Sequence, residues 1–172
     1  MPGEQHDQRP VPRASVVITA RNRIEMLKDC MRGLARQSIG TDAFEVVLVD
    51  NCSTDDFTPV HDYARALGLN IRGVRTARDG GPAPARNLGV ATATAPVIAF
   101  TDSDCRPTPA WLERILAAMD DPAIAMVSGP GLPKPEQPML ARSRETFITP
   151  VEHPSFPTAN LVLPDDLELA FG

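Results

Sequence analysis

The sequence predicts an α/β fold, a three-layer sandwich in which helices cover a mainly parallel sheet. Short apolar, β-branched segments alternate with segments of helical periodicity, as strand–helix–strand units do. The connecting segments have the length of right-handed crossovers, which join parallel strands. The run Val97–Phe100 is apolar at every position, which is typical of a parallel strand buried on both faces.

The first strand and helix follow a polar N-terminal stretch. Ala14–Ala20 is apolar and β-branched and predicts a strand. Asn22 is a favourable N-cap, and Glu25 completes a capping-box-like pair, so we expect a helix from there to about Arg36. Its buried face would consist of apolar residues at helical spacing, namely Ile24, Leu27, Met31 and Leu34.

The alternation of strands and helices continues to residue 128. Phe44–Asp50 is a second apolar strand, and a second helix begins near Pro59 and is stopped by Gly68. We expect Thr108 to cap the last helix of this series, with Pro109 at its first position. The remaining predicted elements are strands at Asn70–Arg75, Ala95–Thr101 and Ala123–Ser128 and a small-residue helix from about Pro82 to Ala93.

Changes in composition divide the chain into three regions. Residues 1–13 are polar and contain prolines, so we expect a disordered tail, and residues 14–128 form the α/β domain. Beyond this domain prolines interrupt the chain at short intervals. There we expect a loop, then a helix over Met139–Ile148, a strand over Thr158–Leu163 and a short helix over Pro164–Ala170.

Composition and charge exclude several classes of function. The 172 residues carry a formal net charge of −5, which argues against a surface for nucleic acid or anionic membranes. No apolar run is long enough to span a bilayer, and the N-terminus lacks the apolar core of a signal peptide. Cys30, Cys52 and Cys105 lack metal-ligand spacing and are expected to be reduced thiols. We therefore expect a soluble, cytoplasmic protein.

A pair of carboxylates follows the fourth predicted strand. Asp102 and Asp104 are two residues apart, so in extended backbone both side chains point to one side. Open α/β sheets bind ligands outside the carboxyl ends of their strands, and carboxylates suit Mg²⁺ or Mn²⁺ held together with substrate phosphates. The pair therefore predicts a metal–diphosphate site. The alternative is that an aspartate here caps the next helix.

Two other strand ends carry side chains suited to a nucleotide. Arg21 and Asn22 follow the first strand, and Asp50 and Asn51 come at the end of the second. A carboxylate such as Asp50 can accept a hydrogen bond from a base N–H or a ribose hydroxyl. The alternative is that Asp50 and Ser53 only form a local side-chain turn.

A glycine-rich loop precedes the third predicted helix. Gly80 and Gly81, followed by Arg86, offer backbone amides and a guanidinium to a phosphate, and the alternative is an ordinary connecting loop. The chain lacks Gly-x-Gly-x-x-Gly after the first strand and lacks Gly-Lys-Ser/Thr, which argues against a dehydrogenase and a nucleoside triphosphatase. A sugar nucleotidyltransferase would need a glycine-rich, basic loop at Thr19–Arg23, and this segment does not provide one.

Taken in order, these motifs resemble those of the family 2 glycosyltransferases with the GT-A fold. The resemblance extends from Ser15 to Gly172, and it is specific because five weak motifs occur in the right order. The matching segments are Val16–Arg23, Phe44–Asp55, Gly81–Gly89, Ile98–Cys105 with Pro109–Leu112, and Thr158–Leu163 with Leu169–Gly172.

The resemblance implies metal-dependent, inverting transfer of a sugar from a nucleoside-diphosphate sugar to a hydroxyl of a saccharide, lipid or protein, as in cell-wall or polysaccharide synthesis. It implies that Asp50 binds the base of the donor and that Arg86 helps to hold the pyrophosphate. The implied donor site consists of Ala20, Arg21, Asn22, Asp50, Gly81, Arg86, Asp102 and Ser103, with Asp102 and Asp104 as ligands of Mg²⁺ or Mn²⁺.

The chain departs from the family pattern at two places. Arg21 stands where the family often has an aromatic residue near the base, and an arginine plane can also stack. The sequence stops at Gly172, before the segment that carries the family's catalytic base, so we expect residues 129–172 to be an incomplete acceptor-side region with the base unidentified. The alternative function is a nucleotide-sugar-binding fragment without turnover, and a membrane contact is expected only in a longer product. The last acids and a nearby histidine are expected to be structural, namely Asp165, Asp166, Glu168 and His153.

Overall fold

The computed structural model describes residues 10–128 and 160–164. Within these residues the strands are β1 (Ala14–Ala20), β2 (Phe44–Asp50), β3 (Ile71–Arg75), β4 (Val97–Thr101), β5 (Val127–Ser128) and β6 (Asn160–Pro164). The helices are α1 (Ile24–Leu34), α2 (Thr58–Ala66), α3 (Pro82–Thr92) and α4 (Trp111–Met119), and a 3-10 turn, Thr41–Ala43, precedes β2. None of these described helices combines the length and the apolar character that a bilayer span requires.

The described strands form one sheet in the order β3-β2-β1-β4-β6-β5. Strands β1 to β4 are parallel, with Ala20 aligned with Asp50 and Val17 aligned with Phe100. Strand β6 is antiparallel to both of its neighbours, β4 and β5. The predicted α/β class with a mainly parallel sheet is therefore confirmed.

Helices cover both faces of the sheet because side chains of the buried strands alternate between two apolar layers. On one face, α1, α2 and α4 pack against β1 and β2 through buried residues that include Val16, Ile18, Leu27, Met31, Leu48, Val60 and Leu112. On the other face, α3 packs against Val17, Val47, Val49, Ile98 and Phe100 through Ala85. This arrangement is the three-layer sandwich expected from the sequence.

Helix α3 packs very close to the sheet at Gly89. A Cβ at this position would come within 3.0 Å of Val17 Cγ1 and would lie 3.1 Å from Val49 Cγ2. A residue with a side chain would therefore push the helix away from β1 and β2. The contact fixes the height of α3 above the sheet, and with it the position of Arg86, about one turn earlier on the same helix.

A buried carboxylate joins the strands at the end opposite their carboxyl termini. Glu45 is 1 % exposed, and its Oε1 accepts hydrogen bonds from Ser15 Oγ at 2.7 Å and from the Thr94 N–H and hydroxyl at 2.7 and 2.8 Å. Its Oε2 lies 3.6 Å from a guanidinium nitrogen of Arg72. Burial alone would raise the pKa of Glu45, but the hydrogen bonds and the guanidinium outweigh it and hold the pKa below its usual value.

The capping box predicted for α1 is wrong. The N-cap position is Arg23, and no side chain caps it. Asn22 instead accepts a hydrogen bond from the Thr54 N–H at 2.9 Å, and Glu25 forms an ion pair with Lys28 at 2.8 Å. The expected capping oxygen is therefore used by a loop that lies far away in the sequence.

The cap predicted for α4 is wrong for a similar reason. The N-cap residue is Ala110 rather than Thr108, and it makes no side-chain hydrogen bond to the helix. The Leu112 N–H donates to Gln37 Oε1 at 2.9 Å, so a side chain that follows α1 satisfies the first turn of α4.

The last strands differ from the prediction in length. β5 has two residues where six were expected, and both pair with β6 at the edge of the sheet. β6 starts two residues later than expected and ends at Pro164. Several predictions concern residues outside the described part of the chain. They are those for residues 1–9, the proline-rich loop, the helix over Met139–Ile148, the helix after Pro164, and the side chains of His153, Asp165, Asp166 and Glu168.

Candidate functional site

The candidate site lies where the order of the strands reverses. Strands β1, β2 and β3 follow one another towards one edge of the sheet, and the chain then crosses through α3 to β4 on the other side of β1. Such a switch point leaves a crevice outside the carboxyl ends of the neighbouring strands. At this end of the sheet, side-chain contacts join the loop after β1 to the loops after β2 and β3, and join α3 to the loop after β4.

Three side chains after β4 form a compact cluster. One ligand atom from each of Asp102, Asp104 and Cys105 lies within 4.8 Å of the other two. The Cys105 N–H donates to the Asp102 carbonyl at 3.0 Å, so a tight turn holds the three residues together. Asp104 is exposed and Asp102 is partly exposed, whereas Ser103 between them is only 3 % exposed. The two carboxylates are therefore the accessible groups of the turn.

The electrostatics of this cluster favour a hard cation. Burial, and then the neighbouring Asp104 carboxylate, raise the pKa of Asp102 above its usual value. Arg86 lies 3.8 Å from Asp102, and Arg23 lies 3.2 Å from Asp104, which offsets part of this repulsion. Burial and the two carboxylates raise the pKa of the Cys105 thiol, so the thiol stays protonated at neutral pH. Two carboxylates beside a neutral thiol suit Mg²⁺ or Mn²⁺ better than a soft metal.

The loop after β1 has an unusual backbone conformation. Asn22 and Arg23 have φ angles of 59° and 66°, in the left-handed region that non-glycine residues seldom adopt. The Asn22 N–H donates to Ser53 Oγ at 2.7 Å, and Asn22 Oδ1 accepts from the Thr54 N–H at 2.9 Å. These bonds stabilise the turn from which Arg23 reaches Asp104. The Asn22 side chain is thus bound to the protein itself.

Asp50, at the end of β2, takes part in both a local turn and an ion pair. Its Oδ1 accepts the Ser53 N–H at 2.7 Å, which is the side-chain turn raised as an alternative above. Its Oδ2 lies 2.6 Å from Arg75 Nη1, and Arg75 also donates to the Ser53 carbonyl at 2.8 Å. Asp50 is 8 % exposed and lines a cavity of about 280 Å³. Each carboxylate oxygen has a second lone pair, so Asp50 can still accept a hydrogen bond from a ligand.

Asp79 connects three loops at this end of the sheet. Its Oδ1 accepts from Asn51 Nδ2 and from the Gly81 N–H, both at 3.2 Å, and its Oδ2 forms an ion pair with Arg21. Gly81 has φ 84° and ψ −174°, a conformation open almost only to glycine, and it immediately precedes α3. A phosphate at this loop would have to compete with Asp79 for the Gly81 amide. The adjacent cavity of about 460 Å³ is lined by residues 76–80, Pro84 and Leu88.

The predicted site residues share one end of the sheet, but they do not all contact one another. Arg86 reaches Asp102 from α3, whereas β1 separates Asp50 from Asp102 by two strand spacings, about 10 Å. Ala20 and Ser103 are 5 % and 3 % exposed, so they offer a ligand little surface.

Three charged residues of the site were missed by reasoning from the sequence. Arg23 pairs with Asp104, Arg75 with Asp50, and Asp79 with Arg21. One of these pairs could have been predicted, because Arg75 and Asp50 end the neighbouring parallel strands β3 and β2 and are aligned in the register of the sheet. The other two pairs form between loops, and the spacing of residues along the chain carries no information about them.

A family model matches most of the chain. The model described as Glycosyl transferase family 2 matches residues 15–165. Among curated proteins, glycosyltransferase AglE of Haloferax volcanii is 28 % identical over 119 residues, which cover 69 % of this chain and 39 % of AglE. Validoxylamine A glucosyltransferase of Streptomyces hygroscopicus is 38 % identical over 126 residues, which cover 68 % of this chain and 28 % of that enzyme. The chain thus spans less than two fifths of the length of these relatives.

Solved structures of similar fold include two with a bound nucleotide sugar. The mannosyltransferase PcManGT from Pyrobaculum calidifontis, in complex with GDP-Man and Mn²⁺, has a TM-score of 0.62 and 28 % identity, covering 69 % of this chain and 35 % of its own. Residues 1–349 of Staphylococcus aureus TarS, in complex with UDP-GlcNAc, have a TM-score of 0.61 and 28 % identity, covering 71 % of this chain and 37 % of TarS.

Proposed function

The chain belongs to glycosyl transferase family 2 and has the GT-A fold, and from this premise we propose that it binds a nucleoside-diphosphate sugar with Mg²⁺ or Mn²⁺ for inverting transfer to an acceptor hydroxyl. The observation that carries the proposal is the pairing of Asp102 and Asp104 at the switch point of the sheet, with Arg86 beside them. Further support comes from the ligands of similar proteins, since PcManGT was solved with GDP-Man and Mn²⁺ and TarS with UDP-GlcNAc.

Asp102 and Asp104 are the residues that would hold the divalent cation. Their proximity contributes to the raised pKa of Asp102, and a cation held by both carboxylates would relieve that repulsion. Magnesium is usually bound by one or two carboxylates together with substrate phosphates, which matches this donor set. When bound, Mg²⁺ or Mn²⁺ supplies Lewis-acid stabilisation of the departing diphosphate.

The donor would lie along the carboxyl ends of β2, β1 and β4. Asp50, held in place by Arg75, would accept a hydrogen bond from the N–H of the base. Arg86 is 16 % exposed and fixed by α3, so it would hold a diphosphate oxygen at little cost in side-chain entropy. Arg21 is 54 % exposed, and its guanidinium plane can stack on the base.

In the proposed reaction the acceptor hydroxyl attacks the anomeric carbon on the face opposite the diphosphate. The hydroxyl proton passes to a carboxylate that acts as general base, and the new glycosidic bond forms as the bond from that carbon to the diphosphate oxygen breaks, so the configuration is inverted. Arg86 and Arg23 place positive charge near the oxygens on which negative charge develops. Holding both substrates in this orientation accounts for a large part of the acceleration. We assign no catalytic base, and we propose an acceptor hydroxyl on a saccharide, lipid or protein in cell-wall or polysaccharide synthesis.

Thermal unfolding in the presence of nucleotide and metal tests the binding site. We expect UDP or GDP with Mn²⁺ to raise the Tm, because a ligand that binds only the folded state stabilises it, and we expect EDTA to abolish the increase. Asp104→Asn should remove most of the increase, because it removes the negative charge of a proposed metal ligand and keeps the side-chain size. The matched control is Asp120→Asn, at an exposed acid just after α4, which should respond like the unaltered protein. An undiminished increase in Asp104→Asn, or no increase with any nucleotide, would contradict the proposal.

A second candidate function is binding of the donor without turnover. It needs only the donor-side groups named above, and among the described residues none is assigned as the catalytic base. Incubation with a UDP-sugar and Mn²⁺ distinguishes the two functions. Metal-dependent release of UDP would support the transferase, whereas binding with no release would support the binding module.

A further inference from the structure

Two arginines, one after β1 and one on α3, lie against the two carboxylates that follow β4. Arg23 Nη1 donates a hydrogen bond to Asp104 Oδ2 at 3.2 Å, and Arg86 Nη2 lies 3.8 Å from Asp102 Oδ1. Two guanidinium groups thus face two carboxylates, so the charges of these four side chains cancel. The groups that would bind a divalent cation are therefore already compensated in charge by the protein itself.

The two arginines differ in how firmly their side chains are held. The Arg86 side chain is 16 % exposed and belongs to helix α3, whereas the Arg23 side chain is 52 % exposed and belongs to the loop after β1. The backbone of Arg23 is in the left-handed region, at φ 66°. The preceding residue, Asn22, is hydrogen-bonded to the loop after β2. The backbone of Arg23 is therefore fixed, while its guanidinium group can change partners and remain in contact with solvent.

A divalent cation at Asp104 would compete with the guanidinium group of Arg23. The hydrogen bond from Arg23 uses a lone pair of Asp104 Oδ2, and the positive charge of the guanidinium repels a cation that approaches the same carboxylate. A nucleoside diphosphate changes this balance, because its oxygens accept both a metal ion and the paired N–H groups of an arginine. The diphosphate thus offers Arg23 a second anionic partner, which leaves the carboxylate free to bind the cation.

We propose that Arg23 makes binding of the divalent cation depend on the diphosphate of the donor, an inference that rests on the function proposed above. Arg23 is the counter-ion of Asp104, so Mg²⁺ or Mn²⁺ without nucleotide binds weakly. When the nucleoside diphosphate enters, the guanidinium group of Arg23 moves from Asp104 to a diphosphate oxygen, and the carboxylate binds the cation. Arg86, which is mostly buried, keeps its position throughout. By thermodynamic linkage, nucleotide and cation then raise each other's affinity by the same factor.

The affinity of the whole chain for Mn²⁺ without nucleotide tests the proposal, and the electron paramagnetic resonance signal of free Mn²⁺ measures it. Arg23→Gln removes the competing charge, so it should bind Mn²⁺ about fivefold more tightly than the unaltered chain. The same variant should bind UDP in saturating Mn²⁺ about fivefold more weakly, measured by calorimetry, because the diphosphate loses a guanidinium partner. A purely structural role of Arg23 would weaken both affinities, whereas the proposal predicts changes in opposite directions.

Two further variants separate the effect of the charge from that of the local structure. Arg23→Lys keeps the positive charge and should bind Mn²⁺ without nucleotide as weakly as the unaltered chain. The matched control is Arg65→Gln on α2, where the arginine is 60 % exposed and lies 3.3 Å from Asp62, and it should leave both affinities unchanged. Equal Mn²⁺ affinity of Arg23→Gln and the unaltered chain, with UDP still bound in Mn²⁺, would overturn this inference alone. Failure of the unaltered chain to bind UDP in Mn²⁺ would overturn the proposed function as well.

Discussion

Replacement of Gly89 by alanine tests whether the closeness of α3 to the sheet is a structural requirement. The added Cβ would come within 3.0 Å of Val17 Cγ1 and would lie 3.1 Å from Val49 Cγ2, and both valines are buried. Overpacking of this kind costs about 1–3 kcal/mol. Alanine in place of glycine inside a helix stabilises the folded state by about 0.5–1 kcal/mol, which offsets part of this cost. We therefore expect Gly89→Ala to lower the free energy of unfolding by about 1–2 kcal/mol.

A double-mutant cycle with Val17→Ala isolates the contact. Val17→Ala alone should cost about 2 kcal/mol, from two lost methyl groups at about 0.8 kcal/mol each and a small cavity. In the double variant the methyl group added at position 89 enters that cavity. The double variant should therefore lose less stability than the two single variants together, by about 1 kcal/mol or more. Urea unfolding with a common m-value provides the measurement. Strict additivity, or a stabilising effect of Gly89→Ala alone, would refute the close packing of α3.

Three other predictions concern a buried acid, a strained turn and the donor site. Glu45→Gln should cost about 1–3 kcal/mol at neutral pH, because hydrogen bonds to a charged acceptor are weakened. The folded-state pKa of Glu45 lies below its unfolded value, so its contribution to the free energy of unfolding is complete above about pH 4.5 and is lost as the pH falls through the folded-state pKa. Urea midpoints measured from pH 3 to 7 should show this loss of stability in the unaltered chain and not in Glu45→Gln. Asn22→Ala should destabilise the chain by about 1 kcal/mol more than Asn22→Gly, because only glycine keeps the left-handed φ without cost, and equal urea midpoints would contradict the strain. Arg86→Gln should weaken the affinity for UDP with Mn²⁺ by about tenfold, measured by calorimetry, and should leave the affinity for uridine nearly unchanged, because a nucleoside has no diphosphate to bind.

The sequence predicted the parallel core well because its strands are buried on both faces. The bounds expected for β1 and β2 match the structure, since a mainly apolar, β-branched run of this length is stable in a globular protein chiefly as a buried strand. The sequence did not predict that β6 lies between β4 and β5 and is antiparallel to both, because the pairing of β4 with β6 joins segments about sixty residues apart. Apolar pattern alone does not specify such a partner.

The helix-capping predictions, which use only neighbouring residues, were wrong where a group is hydrogen-bonded to a partner distant in the sequence. Asn22 was expected to cap α1, but its oxygen binds the loop after β2, and Gln37 provides the acceptor expected from Thr108 at α4. The candidate site shows the same limit. The carboxylates of Asp102 and Asp104 were identified from their spacing, but the charge of Arg23 beside them depends on a left-handed turn that propensities do not favour.

Strand β6 makes β4 an interior strand. Without residues 160–164, the free edge of Val97–Thr101 would expose its amide and carbonyl groups, and such an edge invites pairing with another chain. A shortened polypeptide that ended at residue 128 would therefore be prone to self-association. It would also leave the turn with the two aspartates at the end of a border strand, which frays more readily than one held from both sides. The pairing of β4 with a strand from a distant point in the sequence thus holds in place the turn that carries Asp102 and Asp104.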